Sequence, residues 1–145
     1  MSFGRSLRQR VFVDTAAFVA LFDRRDGEHA AARRISEHLT ERQSLLYTTN
    51  YVLAETHALL LKRLGIAAAL DIVRALMVSS TTIIRVDADA EERALDILTR
   101  YTDKDFSYTD ATSFAVMERL GIETVFTFDH HFGQYGFQAL TADPA

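Results

Sequence analysis

Four carboxylates recur at comparable places in this chain: Asp14 directly after the apolar run Val11 to Val13, Glu55 within TTNYVLAETHALL, Asp110 within FSYTDATSF, and Asp129 two residues beyond TVFT. Like charges crowded together repel, and a bound cation removes that cost. Oxygen-only donors select Mg²⁺ or Mn²⁺. Two such ions about 3.5–4 Å apart would activate a water and stabilise the leaving oxygen of a phosphodiester. The hydroxyls of Thr15 and Thr127 are placed to orient carboxylates or waters around such a centre. Each acid also has an ordinary reading. Ser107 and Asp110 fit a capping box, and Asp14 and Asp129 could cap the segments after them. Glu55 could pair with an arginine or face solvent, but its neighbours Val52 and Leu59 put it on an apolar helix face.

The elements that must position these acids alternate along the chain. Val11 to Val13 is β-branched or aromatic and reads as a short buried strand, and a helix apolar on nearly every face follows it. DRRDGE breaks that helix, and a second runs from Glu28 to Arg42 with Ala31, Ile35 and Leu39 in step. Leu45 to Thr49 is the next strand. Asn50 is expected to cap a long helix that ends at Gly65, and a further helix, Ile66 to Met77, completes a hairpin. Thr82 to Val86 is the third strand, and the helix after it carries acids in its first turn, as the macrodipole prefers. Ser107 to Leu120 is helical, Thr124 to Thr127 is a strand, and Phe137 to Leu140 is a short last one. Helices alternating with non-alternating apolar strands predict an α/β fold: a three-layer α/β/α sandwich on a mostly parallel sheet of four to five strands. In such a sheet, residues at the carboxyl ends of strands line the ligand crevice.

At 145 residues the chain is expected to be a single domain spanning residues 1–145. It has no cysteine, which excludes disulfides, thiolate catalysis and Cys-based metal sites. No apolar run reaches the roughly 20 residues of a membrane span, and no signal-peptide core follows the N-terminal arginines, so a cytoplasmic protein is expected. The net charge of −4 argues against bulk electrostatic attraction to nucleic acid. Local cations remain: Arg5, Arg8 and Arg10, and further along Lys62 and Arg63, are the candidates for gripping a phosphate backbone. Asp105 is a further acid near the rim. His130 and His131 adjoin Asp129; neighbouring residues point in different directions, so at most one of them would face a metal, and a packing or surface role is the expectation for them. His57, two residues from Glu55, is off its helix face. Ala16 stands where a haloacid dehalogenase-type phosphatase needs its second Asp, and the G-x-G-x-x-G of a dinucleotide fold is absent.

VFVDTAAF, TTNYVLAETHALL, FSYTDATSFAVMERLGI and VFTFDHHF, in this order, resemble the four motifs of the PIN-domain family, and within it the chain is most similar to small VapC-type toxins. The resemblance covers nearly the whole chain. It implies a Mg²⁺- or Mn²⁺-dependent endoribonuclease for single-stranded or loop RNA, leaving 5′-phosphate and 3′-hydroxyl ends, with Asp14, Glu55, Asp110 and Asp129 as its acidic quartet. It further implies a homodimer and, for a toxin, a small antitoxin protein that blocks the site. The alternatives are a PIN-fold RNA-processing nuclease that is no toxin, and a catalytically silent PIN-fold binding module.

Overall fold

The computed structural model describes residues 8–142. The elements are β1 (Arg10–Val13), α1 (Thr15–Phe22), α2 (His29–Glu41), β2 (Leu45–Thr49), α3 (Asn50–Leu64), α4 (Ile66–Val78), β3 (Thr82–Ile84), α5 (Ala88–Arg100), α6 (Tyr108–Leu120), β4 (Thr124–Phe126), α7 (His131–Tyr135) and β5 (Gln138–Ala139). All strand pairs are parallel, in the order β3-β2-β1-β4-β5. From β1 the chain steps outward to β2 and β3, then returns past β1 to lay down β4 and β5. With right-handed crossovers, α1 to α4 cover one face and α5 to α7 the other. The helix contacts agree, since α1 packs on α2 and α3, and α6 packs on α5 and α7. The reversal between β1 and β4 opens a crevice at their carboxyl ends.

The register decides what enters that crevice. Val13 is level with Phe126, and Phe12 with Tyr47, so Asp14, Thr127 and Thr49 are neighbours at the same edge. The strands beneath are fully enclosed: Val11, Phe12, Val13, Val125 and Phe126 are each at most 1% exposed.

Element boundaries shift from the sequence expectation where side chains compete for backbone groups. Thr49, not Asn50, caps α3, its hydroxyl accepting from the Val52 amide at 3.1 Å. Asn50 instead accepts from the Val86 amide at 2.8 Å. The ladder ends where Thr49, the last residue of β2, meets Ile84, so β3 stops there and Val86 bonds to the Asn50 side chain instead. Ala32 rather than Ala31 is the fully buried alanine of α2.

Two features brace the edge that carries the acids. Tyr51 on α3 and Tyr108 on α6 both donate to the same Oε2 of Glu91 on α5, at 2.7 and 2.9 Å. Beneath α6, Phe114 is wholly buried, with ring centroids 5.0 Å from Phe106, 5.0 Å from Phe132 and 4.5 Å from Tyr135. Phe114→Ala is expected to cost about 3–5 kcal/mol, read as a lower urea midpoint at unchanged m-value. A loss below about 1 kcal/mol would mean that this aromatic cluster is not what holds α6 and α7 on the sheet.

Candidate active site

Asp14 follows β1 and begins α1, yet its carboxylate makes no capping bond. It is 3% exposed, and its Oδ2 accepts from the Thr127 hydroxyl at 2.8 Å. The Asp14 amide donates to the Phe126 carbonyl at 3.1 Å, which fixes the two strand ends side by side. The Thr127 oxygen also accepts from the Asp129 amide at 3.0 Å, so one hydroxyl links two of the four acids. Burial pushes the Asp14 carboxyl up to about 7, with the charges of Asp110 and Asp129 adding to it against the pull of the Thr127 bond.

Asp110 does cap its helix: Ser107 and Asp110 exchange the two reciprocal bonds of a capping box, each 3.0 Å. The cap does not use the whole carboxylate. Asp110 is 6% exposed, and its Oδ2 also meets His131 Nδ1 at 2.9 Å. Burial raises its pKa, and Asp129 adds to the rise, while Ser107 and His131 oppose it. Capping and site membership are therefore compatible, because one oxygen can accept from two donors.

Asp129 accepts from the His131 amide at 2.9 Å as α7 begins. Glu55, half-buried on the second turn of α3, lines the same cleft as the three aspartates and meets no hydrogen-bond or ion-pair partner among the described residues. The cleft, of about 330 Å³, is lined by six acids (Asp14, Asp26, Glu28, Glu55, Asp110 and Asp129) against one cation, Arg63. Thr15, Leu59 and Phe128 are also in its wall. Leu59, expected to be buried beside Glu55, is 38% exposed because it faces this opening. The Thr15 hydroxyl is buried and has no protein partner among the described residues, whereas that of Thr127 is bonded on both sides.

His131 departs from the packing or surface role expected of it. Its Nδ1 lies 2.9 Å from Asp110 and 3.1 Å from Asp129, and its Nε2 lies 3.0 Å from Asp105. An ionised carboxylate only accepts, so with these three acids ionised each ring nitrogen has to carry a proton, which makes the ring an imidazolium. Burial alone would lower its pKa, but the Asp105 bond and the charges of Asp129 and Asp110 outweigh that and raise it. The signal lay in α7: a helix starting at His131 turns its side chain inward while His130 stays largely exposed. Asp105 is thereby attached to the site through His131, and the exposed His130 is a rim residue.

The basic candidates are scattered. Arg5 lies outside the described residues. Arg8 and Arg10 bond the carbonyls of Gln43 and Gly121 near the amino end of β1, roughly 13 Å of strand from Asp14 for Arg10, so they are not brought to the cleft. Lys62 is exposed on α3. Arg63 does reach the cleft, but it is tied to Asp23 at 3.2 Å and Asp26 at 2.9 Å.

This donor set fits a hard divalent cation. Carboxylates from four separate elements face one space, two of them with pKa values pushed up by burial and by one another, and no arginine is paired to any of the four. A further tight grouping, Asp129 with His130 and His131, has ligand atoms within 4.8 Å of one another. Among the described residues, no helix is long and apolar enough to cross a membrane.

Residues 11–138 match the family model of the PIN domain. Over 130 residues, 88% of this chain and 95% of the relative, the chain is 38% identical to the 23S rRNA-specific endonuclease VapC20 of Mycobacterium tuberculosis. The crystal structure of that protein, described as a sarcin-ricin loop cleaving toxin, superposes with a TM-score of 0.84 over 90% of this chain and 98% of its own. Ribonuclease VapC26 of the same species is 31% identical over 84% of this chain and 89% of its own length. A toxin–antitoxin complex from Klebsiella pneumoniae shares the fold at a TM-score of 0.64 and 16% identity, covering 93% of this chain and 99% of that one.

Proposed function

The chain belongs to the PIN-domain family, and we propose that it is a Mg²⁺- or Mn²⁺-dependent endoribonuclease acting on single-stranded or loop RNA, the toxin of a toxin–antitoxin pair. The observation that carries this reading is the buried Asp14 carboxylate facing Glu55, Asp110 and Asp129 in a cleft nearly devoid of cations.

Asp14, Glu55, Asp110 and Asp129 would hold the cation. When bound, it would lower the pKa of water and offset charge building on the phosphate. The protein's own groups prepare the ligands. Thr127 fixes one oxygen of Asp14 and the backbone of Asp129. Ser107 and His131 fix Asp110, and Asp105 holds the imidazole in place from behind. Leu59 and Phe128 give the opening apolar walls against which a nucleotide can lose water. An antitoxin protein and a second copy of the chain are the expected partners. The exposed apolar residues Ile66, Leu70, Met77 and Val78 of α4 are a surface available to either.

The first substrate to try is a stem-loop RNA carrying the sarcin-ricin sequence, since a relative of 38% identity is named for 23S rRNA, with defined tRNAs beside it. Cleavage at discrete sites with Mg²⁺ or Mn²⁺, 5′-phosphate ends and complete loss in chelator are expected. Binding without cleavage would replace the nuclease with the silent binding module, and chelator-resistant cleavage would remove the metal from the reading.

A further inference from the structure

A cleft lined with acids repels the polyanion it is meant to receive, so a strand that enters must be held by cations nearby. The turn between α1 and α2 supplies them. Asp23, 6% exposed, accepts from the Arg25 amide at 3.0 Å and from Arg63 Nη1 at 3.2 Å. Asp26 accepts from the same Nη1 at 2.9 Å and from the Glu28 amide at 2.9 Å. His29 closes the turn onto the Ala20 carbonyl at 2.7 Å. The turn is thus a fixed structure stapled to α3, not a loose connection. Both of its aspartates are bonded to Arg63, and Arg24 and Arg25 stay exposed and make no salt bridge among the described residues, with the charge of Arg25 also acting on Asp23.

Isolated exposed arginines ordinarily do nothing specific. Their position distinguishes these two. With Arg63, Arg24 and Arg25 ring an open hollow whose one acid is Asp23. Arg63 lines both this hollow and the acidic cleft, so the two concavities share a wall at Arg63, and the charge of their linings changes sign there. Both bonds of Arg63 run from Nη1, so the rest of its guanidinium fork remains available to the hollow.

We propose that Arg24 and Arg25, on the turn locked by Arg63, form a phosphate-binding rim that holds the RNA backbone next to the scissile position. The proposal rests on the ribonuclease reading for its ligand, and its arrangement is chemical: a strand laid from hollow to cleft would place one phosphate among the carboxylates and its neighbours on the arginines. Arginine suits this because its planar donors match phosphate oxygens in pairs.

The test is RNA binding measured apart from cleavage. An end-labelled single-stranded oligoribonucleotide is titrated with Asp14→Asn protein, with and without Arg24→Gln and Arg25→Gln, from about 50 to 400 mM KCl. Two lost phosphate contacts should lower the slope of log K against log salt by about 1.4, that is ~0.7 each for a single strand. Affinity at the lowest salt should fall about tenfold, while Arg100→Gln, at the far end of α5, should leave the slope in place. An unchanged slope in the double variant, or an equal change with Arg100→Gln, overturns the rim. If the unaltered protein cleaves no RNA, the nuclease reading falls, and the slopes still report whether these arginines hold phosphate.

Discussion

Asp14→Asn is expected to lose RNA cleavage by at least about a hundredfold and, in metal-free buffer at about pH 8, to melt at a higher temperature than the unaltered chain. The first effect has a lower bound. Removing groups that merely orient a metal's ligands costs about 10–100-fold, and Asp14 is placed as a ligand itself. The second effect follows from its environment. The carboxylate is 3% exposed, and its pKa is pushed from 3.8 to about 7, so keeping it ionised in the fold costs on the order of 4 kcal/mol. Asn keeps the shape and an oxygen to accept from Thr127 while removing the charge. Desolvating its amide takes back part of the gain, leaving roughly 1–3 kcal/mol. Cleavage at the unaltered rate would remove Asp14 from the active centre. A large drop in melting temperature would mean that the buried charge is balanced by something other than a cation.

The metal-free protein should also lose stability as pH rises from about 5 to 8, the reverse of what an ordinary salt-bridged carboxylate produces. Asp14 has a folded pKa above its unfolded value, so between about pH 4 and 7 the native state binds more protons than the unfolded chain. Stability is highest below that window, falls across it, and settles on a lower plateau above. The same sign holds for Asp110, whose pKa is likewise raised. His131 contributes in this direction too, since its raised pKa adds stability that is lost once the ring deprotonates. Asp23, Asp87 and Glu91 have lowered values, and their contributions fade only under more acidic conditions. Excess Mg²⁺ should flatten or invert the slope, because a cation binds the ionised carboxylates and adds about 2.7 kcal/mol at a hundred times its Kd. Melting temperatures at about pH 5.5 and 8, in chelator and in Mg²⁺, read this directly. A metal-free melting temperature that climbs with pH would contradict the strained Asp14.

The strands and the acids at their carboxyl ends were legible because they depend on local signals: β-branched runs, a capping box at Ser107 and Asp110, and Gly65 and Gly121 closing helices. Long-range pairing was not legible in the same way. Arg63 read as a free cation because its partners, Asp23 and Asp26, are 40 and 37 residues away. Asn50 looked like a cap until its distant partner Val86 drew it off and Thr49 took the role. His131 could not be told from His130 because the direction of its side chain depends on where α7 begins, and Phe132 is seated in the core there. Arg24 and Arg25 read as helix-breaking charge, since a turn's rigidity lies in bonds that no periodicity reveals.

The carboxylate of Glu91, clasped from both sides by Tyr51 and Tyr108, gives the cleft a remote adjustment. Those tyrosines sit one turn before Glu55 and two residues before Asp110, so the gauge between the helices bearing these acids is held from outside. A change at Glu91 would retune the opening without altering any group that faces it, and drift in substrate or ion preference among otherwise identical clefts has a place to originate.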